Sequence, residues 1–115
     1  MPVTEVTSET QFNEYLSNNK YLFVDFYAQL CGPCKRIAPA LYTLSETYTD
    51  VTFLKVDIDV CKELATRFSV KSLPTFLCFT DGNSEPSNIV VGANEMKIEY
   101  ALKMLTGNDK PNEDF

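Results

Sequence analysis

From Tyr21 to Tyr27 the chain is continuously apolar except for Asp25, and two cysteines, Cys31 and Cys34, follow at the mouth of a helical pattern. A run of that length without polar alternation marks a central strand covered on both faces. Cys34, Ile37, Ala38, Leu41, Leu44 and Tyr48 then recur on a 3.6-residue period and form one apolar stripe. The segment therefore reads as a buried strand, a short turn through Gly32 and Pro33, and an amphipathic helix.

Two thiols three residues apart can act as a two-electron device. One thiolate attacks a disulfide, and the second thiol attacks the resulting mixed disulfide before a solvent thiol does. The helical pattern makes them unequal. Cys34 lies on the inward stripe, whereas Cys31 stands at the helix start, where unpaired N–H groups and the positive end of the macrodipole favour the thiolate. Lys35 and Arg36 add positive charge nearby. Cys31 is accordingly the exposed attacker and Cys34 the sheltered resolver. A bare Cys-X-X-Cys is also compatible with a zinc site or a chance pair, and the strand before it favours the redox reading. Asp25 needs a reason to be where it is, because burying a carboxylate is costly unless it is paired or protonated. Six residues before Cys31, in the strand that feeds the helix, it falls beneath the dithiol.

With 115 residues the chain has room for one domain and its core. The net charge of −6 and the lack of clustering among ten basic residues argue against nucleic acid or an anionic membrane as partner. The first twenty residues contain no apolar signal region, and four cysteines in such a context do not read as a disulfide framework. A reducing cytoplasmic setting and a monomer are the expectations.

Along the chain, Ser8-Glu9-Thr10-Gln11 matches a capping box opening a helix over 9–18, with Phe12, Tyr15 and Leu16 inward. Pro39 interrupts the second helix without a chemical role. Val51 to Asp57 reads as a strand containing Lys55, and Cys61, Leu64, Ala65 and Phe68 face inward on a third helix capped by Asp59. Thr75 to Phe79 is an apolar strand that buries Cys78, Asp81-Gly82 opens a hairpin, and Ile89 to Val91 returns as an edge strand. A last helix over about 95–105 buries Ile98, Ala101, Leu102 and Leu105, so that residues 1–105 form the domain and 106–115 a polar, disordered tail.

From the dithiol outward, roughly residues 3 to 105 resemble the thioredoxin family. The resemblance implies an α/β thioredoxin fold, a mixed central sheet of about five strands with helices on both faces. It implies a protein-disulfide reductase working through a reversible Cys31–Cys34 disulfide, with Asp25 exchanging a proton with the inner cysteine. It places a cis peptide before Pro74 facing the dithiol, and a groove for an extended substrate made of Leu30, Gly32, Pro33, Leu73, Pro74, Gly92 and Ala93. Lys55 is placed near Asp25 as a modulator of its charge, beside the plain reading of a solvated lysine. Cys61 matches a non-catalytic cysteine of some animal thioredoxins that affects activity when oxidised, beside the plain reading of a small core residue. No metal and no bound cofactor are implied. Electrons are expected from NADPH through a thioredoxin reductase or another dithiol donor, and the partners are oxidised proteins. Two other classes stay open, a zinc module built on the four cysteines and a thioredoxin-fold binding subunit without redox turnover. The chain departs from the family at Leu30, where tryptophan is usual before the first cysteine, and at Tyr27, where tryptophan is frequent. The first departure bears on partner preference, since a large flat contact beside the reactive sulfur is missing.

Overall fold

The computed structural model describes residues 3–107 of the chain. The elements run β1 (Val3–Val6), α1 (Glu9–Asn18), β2 (Tyr21–Tyr27), α2 (Gly32–Thr47), β3 (Thr52–Asp57), α3 (Lys62–Arg67), β4 (Thr75–Thr80), β5 (Asn88–Val91) and α4 (Glu95–Thr106). One five-stranded sheet has the order β1-β3-β2-β4-β5, with β1, β3 and β2 parallel and β4 and β5 antiparallel to their neighbours. This is the mixed α/β sheet that the resemblance implies.

Strand β2 sits at the centre because almost every side chain on it is apolar and both its edges can be paired. Its alternate residues feed two different cores. Leu22, Val24 and Phe26 join Phe12 and Leu16 of α1, Leu64 of α3, and Leu77 and Phe79 of β4. Phe23 points the other way, into a core with Ile37, Leu41, Leu44 and Tyr48 of α2 and Ile98, Ala101, Leu102 and Leu105 of α4. By the same alternation Asp25 and Tyr27 lie on the α2 side.

Local chemistry explains most of the boundaries. Ser8 caps α1 by accepting from the Gln11 N–H at 3.1 Å. The Gln11 side chain reaches back to the Thr7 N–H at 2.9 Å, one residue earlier than a standard capping box would place it. Gly107 at φ +74° ends α4 in the left-handed conformation that a glycine adopts without strain. Helix α4 thus extends through Thr106, into the segment read from sequence as tail, and residues 108–115 of that segment lie outside those described.

Three readings from sequence are corrected. Ala38, expected on the buried stripe of α2, is exposed, and Ser45 is buried instead. The stripe tilts because positions 34, 37, 41, 44, 45 and 48 face the sheet, while residue 38 looks along its open end. Asp59 does not cap α3. Cys61 occupies the cap position with no side-chain hydrogen bond, and the Asp59 N–H donates to Asp57 Oδ1 at 2.9 Å. Strand β3 begins at Thr52 and β5 at Asn88, each one residue away from the expected start.

Phe12, Phe68 and Phe79 meet edge to face with centroid separations of 5.3 to 5.6 Å, and Phe26 approaches Phe68 at 6.2 Å. Phe12 is fully buried in this cluster and ties α1 to the sheet. Phe12→Ala should therefore lower unfolding free energy by about 3–5 kcal/mol, the range for deleting a buried aromatic ring, as read from the denaturant midpoint at unchanged slope.

Candidate active site

Strand β2 ends at Tyr27, and four residues of loop carry the chain into α2. The Cys31 N–H donates to the Ala28 carbonyl at 3.2 Å, and the Ile58 N–H donates to the Tyr27 carbonyl at 3.0 Å. Asp57, buried at the end of β3, accepts from Gln29 Nε2 at 3.1 Å and from the Asp59 N–H, so one carboxylate pins the loop before the dithiol and the loop after β3. Gln29 and Asp57 were not singled out from sequence. A buried aspartate at the end of a strand was the available signal.

Cys31 is the N-cap of α2, with Pro33 in the first turn, where its missing N–H is not needed. The Cys34 N–H donates to Cys31 Sγ at 3.2 Å and the Lys35 N–H to the Cys31 carbonyl at 3.2 Å. The first of these is a donor that a helix start leaves unpaired, aimed here at the outer sulfur, and the second is the first ordinary hydrogen bond of the helix. The two sulfurs are joined as a disulfide, with Cα atoms 5.3 Å apart. Cys31 is half-buried, while Cys34 is 6 % exposed.

Asp25 is 8 % exposed, and its Oδ1 has no hydrogen-bond partner among the described residues. Burial pushes its carboxyl up to about 7 from 3.8, the Lys55 ammonium pulls it partly back, and the Glu5 carboxylate pushes it up further. Asp25, Cys34 and Lys55 line one cleft of about 140 Å³ together with Tyr27, Ala28, Gln29, Lys35 and Ala38. The exposure of Ala38 is explained by this cleft, which opens where the helix stripe leaves the sheet.

Strand β4 runs antiparallel to β2 with Phe26 opposite Thr75, so Pro74 emerges at the same end of the sheet as the dithiol loop. The Leu73–Pro74 peptide is cis. The Pro74 carbonyl accepts from the Gly92 N–H at 2.8 Å, which brings together two of the residues expected in the groove. Gly92 has φ +99° and open space where a Cβ would stand, so its backbone conformation, not crowding, requires glycine. Leu73 and Ala93 are half-buried, packed against the two opposite cores. Gly32 and Pro33 are exposed, and Leu30 is 95 % exposed.

The remaining cysteines stand apart from the dithiol. Cys61 lies in the core beneath α1 and α3 and Cys78 in the core beneath α2 and α4, so the sheet separates them. Burial raises both thiols above their ordinary value, Cys78 to about 12. Among the described residues no group of three or more His, Cys, Asp or Glu converges to hold a metal.

The thioredoxin family model matches residues 3–104. Thioredoxin-1 of Schizosaccharomyces pombe is 40 % identical over 101 residues, covering 88 % of this chain and 96 % of that protein. Human thioredoxin is 41 % identical over 105 residues, covering 90 % and 98 %. Among solved structures, oxidised mitochondrial thioredoxin 3 of Saccharomyces cerevisiae superposes with a TM-score of 0.85 at 37 % identity, covering 90 % of this chain and 95 % of that one.

The state of Asp25 has a consequence for stability. A carboxyl that titrates near 7 when folded and near 3.8 when unfolded keeps its proton in the native state while the unfolded chain has lost it. Stability therefore falls as pH rises from about 4 to about 7 and levels off above. Asp25→Asn removes this dependence. The variant should be more stable than the parent by an amount that grows through that window towards about 4 kcal/mol, measured by denaturant unfolding of the oxidised proteins at several pH values.

Proposed function

Since this chain belongs to the thioredoxin family and is a thiol–disulfide oxidoreductase that reduces disulfides in proteins, we propose that Cys31 is its nucleophile, Cys34 its resolving thiol and Asp25 the group that moves the proton between steps. The observation that carries the assignment is the Cys34 N–H aimed at Cys31 Sγ at the start of α2.

The exchange runs in two steps. The Cys31 thiolate attacks one sulfur of a substrate disulfide; the Cys31–substrate bond forms, the substrate disulfide breaks, and the departing thiolate takes a proton from solvent. Asp25 then accepts the Cys34 proton, and the Cys34 thiolate attacks Cys31 Sγ. The mixed disulfide breaks, the Cys31–Cys34 bond forms, and the second substrate sulfur leaves as a thiolate that takes up the proton held by Asp25. Two electrons pass from the dithiol to the substrate. A carboxyl titrating near neutral pH suits the proton step, because it accepts and returns a proton at similar cost.

Substrate lies, in this reading, across Leu30, Gly32, Pro33, Leu73, Pro74, Gly92 and Ala93. The shared sheet end of the loop and Pro74, and the Pro74–Gly92 hydrogen bond, support that groove. Lys55 modulates Asp25, supported by their side-by-side register and shared cleft. For Cys61 the full burial favours a core role over a regulatory one. Thioredoxins carry out this exchange without a bound cofactor. The proposed source of electrons is NADPH through a thioredoxin reductase or another dithiol donor, the partners are oxidised proteins, and the working form is a monomer. The proposed location is a reducing compartment, the cytoplasm first, where a donor pool can keep the dithiol reduced. A mitochondrial relative makes cell fractionation the deciding measurement.

Cys31→Ser should abolish reduction of insulin disulfides by dithiothreitol-driven turnover, whereas Cys34→Ser should still attack and remain trapped as a mixed disulfide, visible by mass spectrometry. Equal trapping by both variants would overturn the assignment of unequal roles. Leu30→Trp should leave the rate with small dithiols nearly unchanged while altering kcat/KM towards a thioredoxin reductase by an amount equivalent to about 1–3 kcal/mol at most. A change confined to small dithiols would mean that residue 30 tunes the thiol itself.

A further inference from the structure

Three neighbouring strands carry an acid, a base and an acid in one row. Glu5 of β1 is the register partner of Lys55 of β3, and Lys55 is the register partner of Asp25 of β2. Register partners point to the same face of a sheet, and adjacent strands are about 4.8 Å apart, so Lys55 stands between two carboxylates. It does not divide its charge evenly. Lys55 Nζ lies 3.8 Å from Glu5 Oε1, and among the described residues its ion pair is with Glu5 and not with Asp25. Glu5 is itself held: the Tyr27 hydroxyl lies 2.7 Å from Oε1 and 2.8 Å from Oε2, donating its one proton to the carboxylate. The Lys55 ammonium also rests over the Tyr27 ring, 5.6 Å from its centroid.

We infer that Glu5 is a positioning residue of the dithiol site: anchored by Tyr27, it holds the Lys55 ammonium at the outer side of the row and so keeps Asp25 from gaining a close cationic partner. The inference rests on the reading of Asp25 as the group that moves the proton. The charged and titratable groups around Asp25 are Glu5 from β1, Lys55 and Asp57 from β3, Tyr27 on its own strand, and Cys34 and Lys35 from α2; its partner on β4, Phe76, carries no charge. Of these, Glu5 acts twice in one direction. Its own negative charge disfavours ionised Asp25, and its ion pair restrains the one cation in the row. An orphaned Oδ1 on Asp25 is what such a restraint leaves behind. Without Glu5 the lysine is free to lean towards Asp25, which would then ionise more readily.

The test titrates the Asp25 carboxyl carbon by NMR in the reduced protein and, in parallel, follows the pH profile of insulin-disulfide reduction with dithiothreitol as donor. Glu5→Gln should lower the Asp25 midpoint by about half a pH unit or more and carry the rate profile with it. The same substitution made on a Lys55→Gln background should lower it less, because the restrained cation is gone. An unchanged carboxyl midpoint in Glu5→Gln overturns the inference. An equal lowering with and without Lys55 overturns the positioning of the lysine and leaves only the bare charge of Glu5. A carboxyl midpoint that moves while the rate profile stays fixed supports the coupling and overturns the proton-moving role of Asp25, so the two failures are told apart. Glu5 is near the surface, and a thermal melt of each variant checks that the fold is kept.

Discussion

Pairing of β2 on both sides is the constraint on which the rest of this molecule depends. Parallel to β3 and antiparallel to β4, the strand has no free edge, and its apolar side chains enter a separate core on each face. Its backbone groups are thereby satisfied and its side chains removed from water, and the end of the strand becomes a fixed point in space. The dithiol loop leaves from that point. The chain before β4 arrives at it from the other direction, and Asp57 at the end of β3 clamps the loop from the side.

The same burial that stabilises the sheet creates the chemistry of Asp25. A carboxylate on a central strand loses its hydration, and no described group donates a hydrogen bond to its Oδ1 in return. The proton is retained as the cheaper alternative. Cys31, a short distance along the chain, meets the opposite environment, since the open start of α2 offers it an N–H donor. One segment of sequence therefore holds a group that resists negative charge and a group that favours it, separated by the turn from strand to helix. The proposed exchange draws on that contrast, with Cys31 as the attacking sulfur and Asp25 as the acid that takes up or releases a proton.

Lys55 illustrates how topology changes the meaning of a residue. In isolation it is a solvated lysine on a half-buried strand, and its neighbour relations come only from β1 and β2 being laid on either side of it. Glu5 and Tyr27 acquire significance in the same way. Their separation of 22 residues hides a direct hydrogen bond.

Periodicity made the strand, the helix and the unequal placement of the two cysteines readable, because each depends on spacing within a few residues and on the polarity of the side chains themselves. Resemblance to a family supplied the sheet and the cis peptide before Pro74. The isolated polarity break at Asp25 marked a buried acid without any coordinates, since little else explains a carboxylate inside an apolar run. What the sequence left undecided were relations between distant segments. The cleft that exposes Ala38, the clamp of Asp57 on Gln29 and the row from Glu5 to Asp25 all follow from strand order and register. The alternation within one strand says which of its side chains share a face, but which strand lies beside it is settled by which apolar faces can be buried together across the packed sheet.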